Sequence, residues 1–144
     1  MKQKSTTISL MFLLLSFVIC AQVFAQPCVV VANANKMINS LTANDVERIF
    51  LGKMKRWPDG RVVNVVYNDE KMVQTAFSEQ YLHRSWRQVS TYWRKKLYSG
   101  YSMLPAFIGG HEQVKEYLMS HPDAISYLNS DELDPRVKII KVKP

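Results

Sequence analysis

Glycine and cysteine are scarce in this chain, five and two among 144 residues, and each scarcity removes a class of function. Five glycines do not build a Gly-rich phosphate loop, and the one adjacent pair, Gly109-Gly110, stands alone before a helical pattern. Cys20 falls in an N-terminal segment expected to be removed. Cys28 then remains alone, so no internal disulfide can form and stability must come from the core. A buried, idle thiol is the expected state of Cys28. The three histidines, His83, His111 and His121, lie far apart without HxxxH or HExxH spacing. No metal site and no cofactor are therefore expected. No serine sits in a GxSxG elbow. Internal repeats, low-complexity stretches and linkers are missing too, and the chain is not expected to be an enzyme.

Long apolar runs are almost absent as well. The exception covers residues 8–20, preceded by Lys2 and Lys4 and followed by Val23-Phe24-Ala25, a cleavage pattern with Val at −3. Gln22 interrupts a run already short of the roughly 20 residues a spanning helix needs. Residues 1–25 are accordingly expected to be a cleaved signal peptide, with residues 26–144 forming one domain in the periplasm. Removing two lysines and no acid lowers the net charge from +7 to +5. That balance suits an anionic ligand, an acidic partner or the lipopolysaccharide-rich envelope. Export argues against nucleic acid as a target.

Past the expected cleavage point, strands and helices alternate. Residues 28–32 are a short valine-rich run, a buried strand. Thr42 and Asp45 form a capping box with Asp in place of Glu, Leu41 can staple to Val46, and Val46, Ile49 and Phe50 share one helical face. Gly52 supplies a left-handed stop. Trp57-Pro58-Asp59-Gly60 is a turn, and residues 61–67 (RVVNVVY) form a second strand. Residues 71–82 make a second helix. Ser85 and Gln88 box a third, in which Trp86, Val89, Trp93 and Leu97 line the packed face while Arg87, Arg94, Lys95 and Lys96 mostly take the other. Residues 101–110 are expected to be a loop, 111–120 a fourth helix, and 124–128 and 137–142 the last strands. Such alternation predicts an α/β fold with a mainly parallel sheet flanked by helices. Its core should contain Val46, Ile49, Phe50, Val65, Trp93, Leu97, Leu118, Ile125 and Ile139.

Three segments carry a resemblance. IFLGKMKRWPDG, YWRKKLYSGYSMLP and PDAISYL follow one another in the order of matching segments of phosphate ABC transporter substrate-binding proteins. The chain resembles the short, single-lobe members of that periplasmic-binding-protein-like family. The resemblance implies a solute-binding role, with phosphate or another small anion as ligand and a membrane transporter or sensor component as partner. In the family, a small-residue turn followed by Arg grips the oxyanion at a helix N-terminus. Here the stretch reads Asn68-Asp69-Glu70-Lys71-Met72-Val73-Gln74, which puts Lys71 at the serine position and Gln74 at the arginine position. Asp69 and Glu70 would favour the helix dipole themselves and repel an arriving phosphate. Ser126 replaces a glycine.

Ligands of open α/β sheets lie beyond the carboxyl ends of the strands. Asn33 and Asn35, Asn68, and Lys71 are on that basis the candidate ligand-binding residues. A single lobe offers few donors against water, so tight binding would need a partner lobe such as a second copy of the chain. The alternative is an envelope interaction or accessory protein that keeps the fold without the small ligand. Processing is directly testable: the intact mass of the exported protein should match a chain beginning at Gln26, and retention of residues 1–25 or a lipid on Cys20 would refute it.

Overall fold

The computed structural model describes residues 27–144; the expected signal peptide, its cleavage site and Cys20 lie outside the described residues. Capping chemistry sets the helices. Thr42 and Asp45 exchange their bonds as a complete capping box, starting α1 at Ala43–Phe50. Ser85 and Gln88 do the same for α3, Trp86–Tyr98. Between them α2 spans Lys71–Leu82 and ends on His83 in the left-handed region; α4 spans His111–Ser120. The strands are β1 (Cys28–Asn33), β2 (Ser40–Thr42), β3 (Asn64–Asn68), β4 (Ala106–Ile108), β5 (Ala124–Asn129), β6 (Val137–Ile139) and β7 (Lys141–Lys143).

Five strands form the main sheet in the order β4-β3-β5-β1-β6, and β2 pairs with β7 in a small second one. β3 runs parallel to both β4 and β5. β1 runs antiparallel to β5 and β6. Four strands therefore point one way and β1 alone opposes them, a mainly parallel α/β sheet with one reversed strand next to its β6 edge.

The period-two alternation of a strand sends side chains to two layers. Val30, Ala32, Tyr67, Ile125 and Tyr127 face α1, α2 and α3, where Val46, Ile49, Phe50, Phe77 and Trp93 complete the larger core. Val31, Val66, Ala124 and Leu128 face α4 and meet Val114 and Leu118. Cys28 is buried in the larger core, and that burial pushes its thiol up to about 12. It is an inert core residue, not a bridge between chains.

The structure departs from expectation at several places. Residues 101–110 include β4, a three-residue edge strand too short for periodicity to reveal. Residues 137–142 split into β6 and β7, because Ile140 turns into the core between them. Ile139, expected inside, is 47 % exposed as a result. Leu97 is 53 % exposed, since the last turn of α3 runs past the sheet that buries Trp93. Val65 is only partly buried.

α1 is short, and its C-terminal carbonyls would be orphans without partners. Three tyrosine hydroxyls take them in succession: Tyr67 donates to the Phe50 carbonyl at 2.5 Å, Tyr92 to Leu51 at 2.7 Å and Tyr101 to Gly52 at 2.9 Å. Gly52 has φ +66, and a Cβ there would stand 2.9 Å from both Trp93 and the Tyr101 hydroxyl. Only glycine fits that approach. The Phe50 ring itself sits among Phe77, Tyr67 and Tyr127, with centroids 4.5–5.9 Å away. Phe50→Ala should therefore cost about 3–5 kcal/mol in chemical denaturation, whereas Leu97→Ala should cost less than about 1 kcal/mol.

Candidate functional site

The direction of β1 divides the four candidate residues between opposite ends of the sheet. In the ladders Ala32 lies opposite Ile125, which lies opposite Val65. Asn33 is thus level with the beginning of β5 and β3, and Asn68 with their end. About four residues separate them along the strand direction, roughly 13 Å at the usual rise. Asn68 and Lys71 stay together; Asn33 and Asn35 do not join them. The expected floor of strand-end amides holds only for strands that run the same way.

At the carboxyl end of β3 and β4 two helices begin, α2 on one face of the sheet and α4 on the other. α2 follows Asn68-Asp69-Glu70, and α4 follows Gly109-Gly110. Neither has a side-chain hydrogen bond at its N-cap, which is Glu70 in one and Gly110 in the other. Uncapped amides and two positive dipole ends favour negative charge at this place. The charge already there is the chain's own. His111 Nε2 lies 2.6 Å from Glu70 Oε2, and His111 Nδ1 lies 3.1 Å from Asn68 Nδ2. Asn68 Oδ1 accepts from the Glu70 amide at 3.1 Å, which fixes the orientation of the Asn68 side chain and aims its NH2 group at His111. Nδ1 must then accept, and Nε2–H donates to the carboxylate.

Neighbouring groups tighten the same loop. Asp69 donates its amide to the Ile108 carbonyl at 2.8 Å and accepts from the Gln74 side chain at 2.8 Å. Tyr127 donates its hydroxyl to the Asn68 carbonyl at 3.0 Å. Gln74, at the expected arginine position, is buried and committed to Asp69. Lys71 is exposed on the first turn of α2 and belongs to none of the ion pairs among the described residues. Ser126 lies in mid-strand, level with Val31, buried and without a hydrogen-bond partner for its hydroxyl among the described residues. It does not reach this end of the sheet.

Structural polar groups occupy the opposite end. Asn33 donates to the Leu118 and Met119 carbonyls at 2.7 and 3.2 Å, closing the end of α4, and accepts from the Asn35 amide at 2.8 Å. Trp57 is buried beneath its turn, with its indole N–H on the Asp123 carbonyl at 3.0 Å. The buried Lys36 ammonium lies 4.4 Å from the Trp57 ring centroid and 2.7 Å from Asp123 Oδ1. The WPDG turn is therefore a packing device rather than an exposed recognition aromatic. A further polar cluster, which is not at that end but includes Glu112 in the first turn of α4, braces α4 against the chain between β5 and β6. Arg136 hydrogen bonds, followed by Lys115, hold the Asp134 carboxyl well below the usual range, and both cations also reach Glu112.

Sequence reasoning missed His111. It had named the histidine only to discount a metal site, and the Glu70–His111 pair joins residues 41 positions apart. The glycine pair before α4 was the available signal. Among the described residues, no group of three or more His, Cys, Asp or Glu is placed to hold a metal ion.

No family model matches the chain, and no curated protein matches it in sequence. Solved structures do match in shape. A Clostridium perfringens protein assigned as a phosphate ABC transporter substrate-binding protein, solved with bound phosphate, superposes with a TM-score of 0.61 at 17 % identity over 80 % of this chain and 44 % of its own. An ABC-type phosphate transport receptor from Vibrio cholerae gives 0.60 at 16 % identity over 80 % and 45 %. PstS from Borrelia burgdorferi gives 0.60 at 11 % identity over 81 % and 47 %. Likeness at such identities defines the fold: a single small lobe of the periplasmic-binding-protein-like type. The chain spans less than half the length of the structures it matches. None of its helices among the described residues is long and apolar enough to cross a membrane.

The division between the two ends has a measurable consequence. Asn33→Ala removes two bonds to buried carbonyls, so it should lower stability by about 1–3 kcal/mol in denaturant unfolding. The same change should leave any anion affinity within about twofold by calorimetry, since Asn33 is remote from Asn68.

Proposed function

We propose that this chain is an exported solute-binding lobe of the phosphate-transporter type. Its ligand would be phosphate or another small anion, taken up where α2 and α4 begin beside Asn68 and Lys71. One observation carries the reading: at two helix N-termini without side-chain caps, the Glu70 carboxylate at the start of α2 lies 2.6 Å from the His111 ring at the start of α4. A place arranged to stabilise a carboxylate has the donors for a free oxyanion. The Glu70 side chain is 42 % exposed, so it can leave without disturbing the core. Lys71 would supply the mobile positive charge and His111 a directed N–H.

Affinity should be modest. Glu70 competes for the same donors, Asp69 adds repulsion, and one lobe leaves the anion open to water. The phosphate-transport relatives support a non-catalytic role and a membrane transporter or sensor component as partner. They equally support a periplasmic location. A second copy of the chain would supply the missing lobe if tight binding occurs. The alternative, an accessory protein without a small ligand, is favoured by one specific feature: the Glu70–His111 bond already satisfies the site.

Calorimetry with phosphate and sulfate at low ionic strength, where surface charge is least screened, separates the readings. Wild type should bind weakly. Lys71→Glu should abolish binding, and Glu70→Gly combined with Lys71→Ser should strengthen it by about tenfold or more, since it removes the internal competitor. Silence of all three proteins toward both anions would leave the accessory role as the account of this fold.

A further inference from the structure

A long stretch of this chain carries no negative charge. Between Glu79 and Glu112 every ionised side chain is basic: Arg84, Arg87, Arg94, Lys95 and Lys96. The stretch builds α3, the segment after it and β4, and β4 is one of the two edge strands of the main sheet. Along this edge four large apolar side chains are exposed: Leu97 at 53 %, Phe107 at 48 %, Leu104 at 41 % and Met103 at 37 %. They are not scattered. Leu97, Leu104 and Phe107 line one groove of about 330 Å³ with Trp93, Pro105 and Arg94. Trp93 and Leu104 also line an adjoining cavity of about 360 Å³, which Lys55 and Met103 help to enclose. No acidic residue lines either. A continuous apolar surface of this kind on a small domain marks an interaction site.

Backbone geometry supplies direction. The Ile108 carbonyl accepts from the Asp69 amide, so Ile108 and, by alternation, Ala106 turn their backbone groups toward β3. Phe107 then turns its own N–H and C=O outward, toward the unpaired edge. Its ring is stacked on Tyr67 at 5.4 Å and braced by Trp86 at 6.3 Å, which keeps the edge rigid.

We propose that the β4 edge and its groove dock an extended acidic segment of a partner protein, added as a strand beside β4. Phe107 would exchange both backbone hydrogen bonds with the incoming strand. An apolar side chain of that strand would enter between Trp93, Leu97 and Leu104, and its carboxylates would meet Arg94 and Lys55. A second copy of this chain does not fit, because the same basic rim would face itself and its terminal strands, VKI and KVK, are basic too. A lipid surface offers charge, but no donors and acceptors at strand spacing for Phe107. The inference is independent of the anion site, which lies where α2 and α4 begin.

Two blocked octapeptides test it against the full chain, one alternating Glu with Val and the other Lys with Val. Backbone NMR should show the acidic peptide shifting Phe107, Leu97 and Leu104 while the basic one leaves them unmoved. Leu97→Glu and Arg94→Glu, both at exposed positions, should each weaken the acidic peptide by about tenfold without altering the unfolding midpoint. Phe107→Pro, which removes the outward N–H, should weaken it too. Equal binding of both peptides, or indifference to Leu97→Glu and Arg94→Glu, would overturn the proposal. So would sedimentation of the free protein as a dimer that Leu97→Glu dissociates. Binding to phosphatidylglycerol vesicles through the same residues, with none to the acidic peptide, would assign the surface to membranes instead.

Discussion

The Tyr67 hydroxyl holds this lobe together. It sits on β3 without contact with solvent, donates to the last carbonyl of α1 and accepts the indole N–H of Trp93 at 3.2 Å. Burial pushes its phenol well above the ordinary value, so it stays a neutral donor at any physiological pH. Around the ring lie Phe50, Trp86, Trp93, Phe107 and Tyr127. One side chain thus joins α1, α3, β3, β4 and β5. Leaving that oxygen unpaired in such surroundings would be costly, which forces α1 and α3 into a single arrangement over the sheet. Tyr92 and Tyr101 repeat the solution at the next two carbonyls.

That constraint accounts for the wording of the sequence. In IFLG, Ile49 and Phe50 enter the core, Leu51 and Gly52 present carbonyls to tyrosines, and Gly52 admits Trp93 and Tyr101 where a side chain would not fit. The local signals were legible for this reason. Capping boxes at Thr42 and Ser85 define helix starts through neighbours three residues apart, and α2 and α4 run over the residues their periodicity marks. What escaped was set by distant partners. β4 is a strand because β3 pairs with it, not because Ala-Phe-Ile reads as one. The exposure of Leu97 and Ile139 depends on where the sheet stops, and no helical wheel contains that information.

The candidate site was legible only in half. Asn68 and Lys71 were placed by the strand-to-helix junction, a local feature. Asn33 and Asn35 were placed by an assumption about strand direction, and direction is decided by pairing across the sheet. The roles of the polar groups follow that split. At the Asn33 end every group named is consumed by structure: an amide closes a helix, a lysine covers an indole, an aspartate holds both. At the Asn68 end a carboxylate rests on two helix starts through a single imidazole, with a free lysine beside it. Polar groups fully engaged in packing leave nothing for a ligand, whereas an exposed carboxylate held by one side chain can be displaced.

The reversed strand has a further consequence, in time rather than space. β1 pairs only with β5 and β6, so Cys28 meets Asn129 and Val31 meets Ile139. The first of the described strands waits for two that come far later in the chain. Contacts of such separation are slow to form, because a long loop must close before any ladder bond rewards it. The part of the sheet around β1 therefore cannot consolidate before β5 and β6 are available to pair with it. A sheet closed by strands this far along the chain delays its own folding.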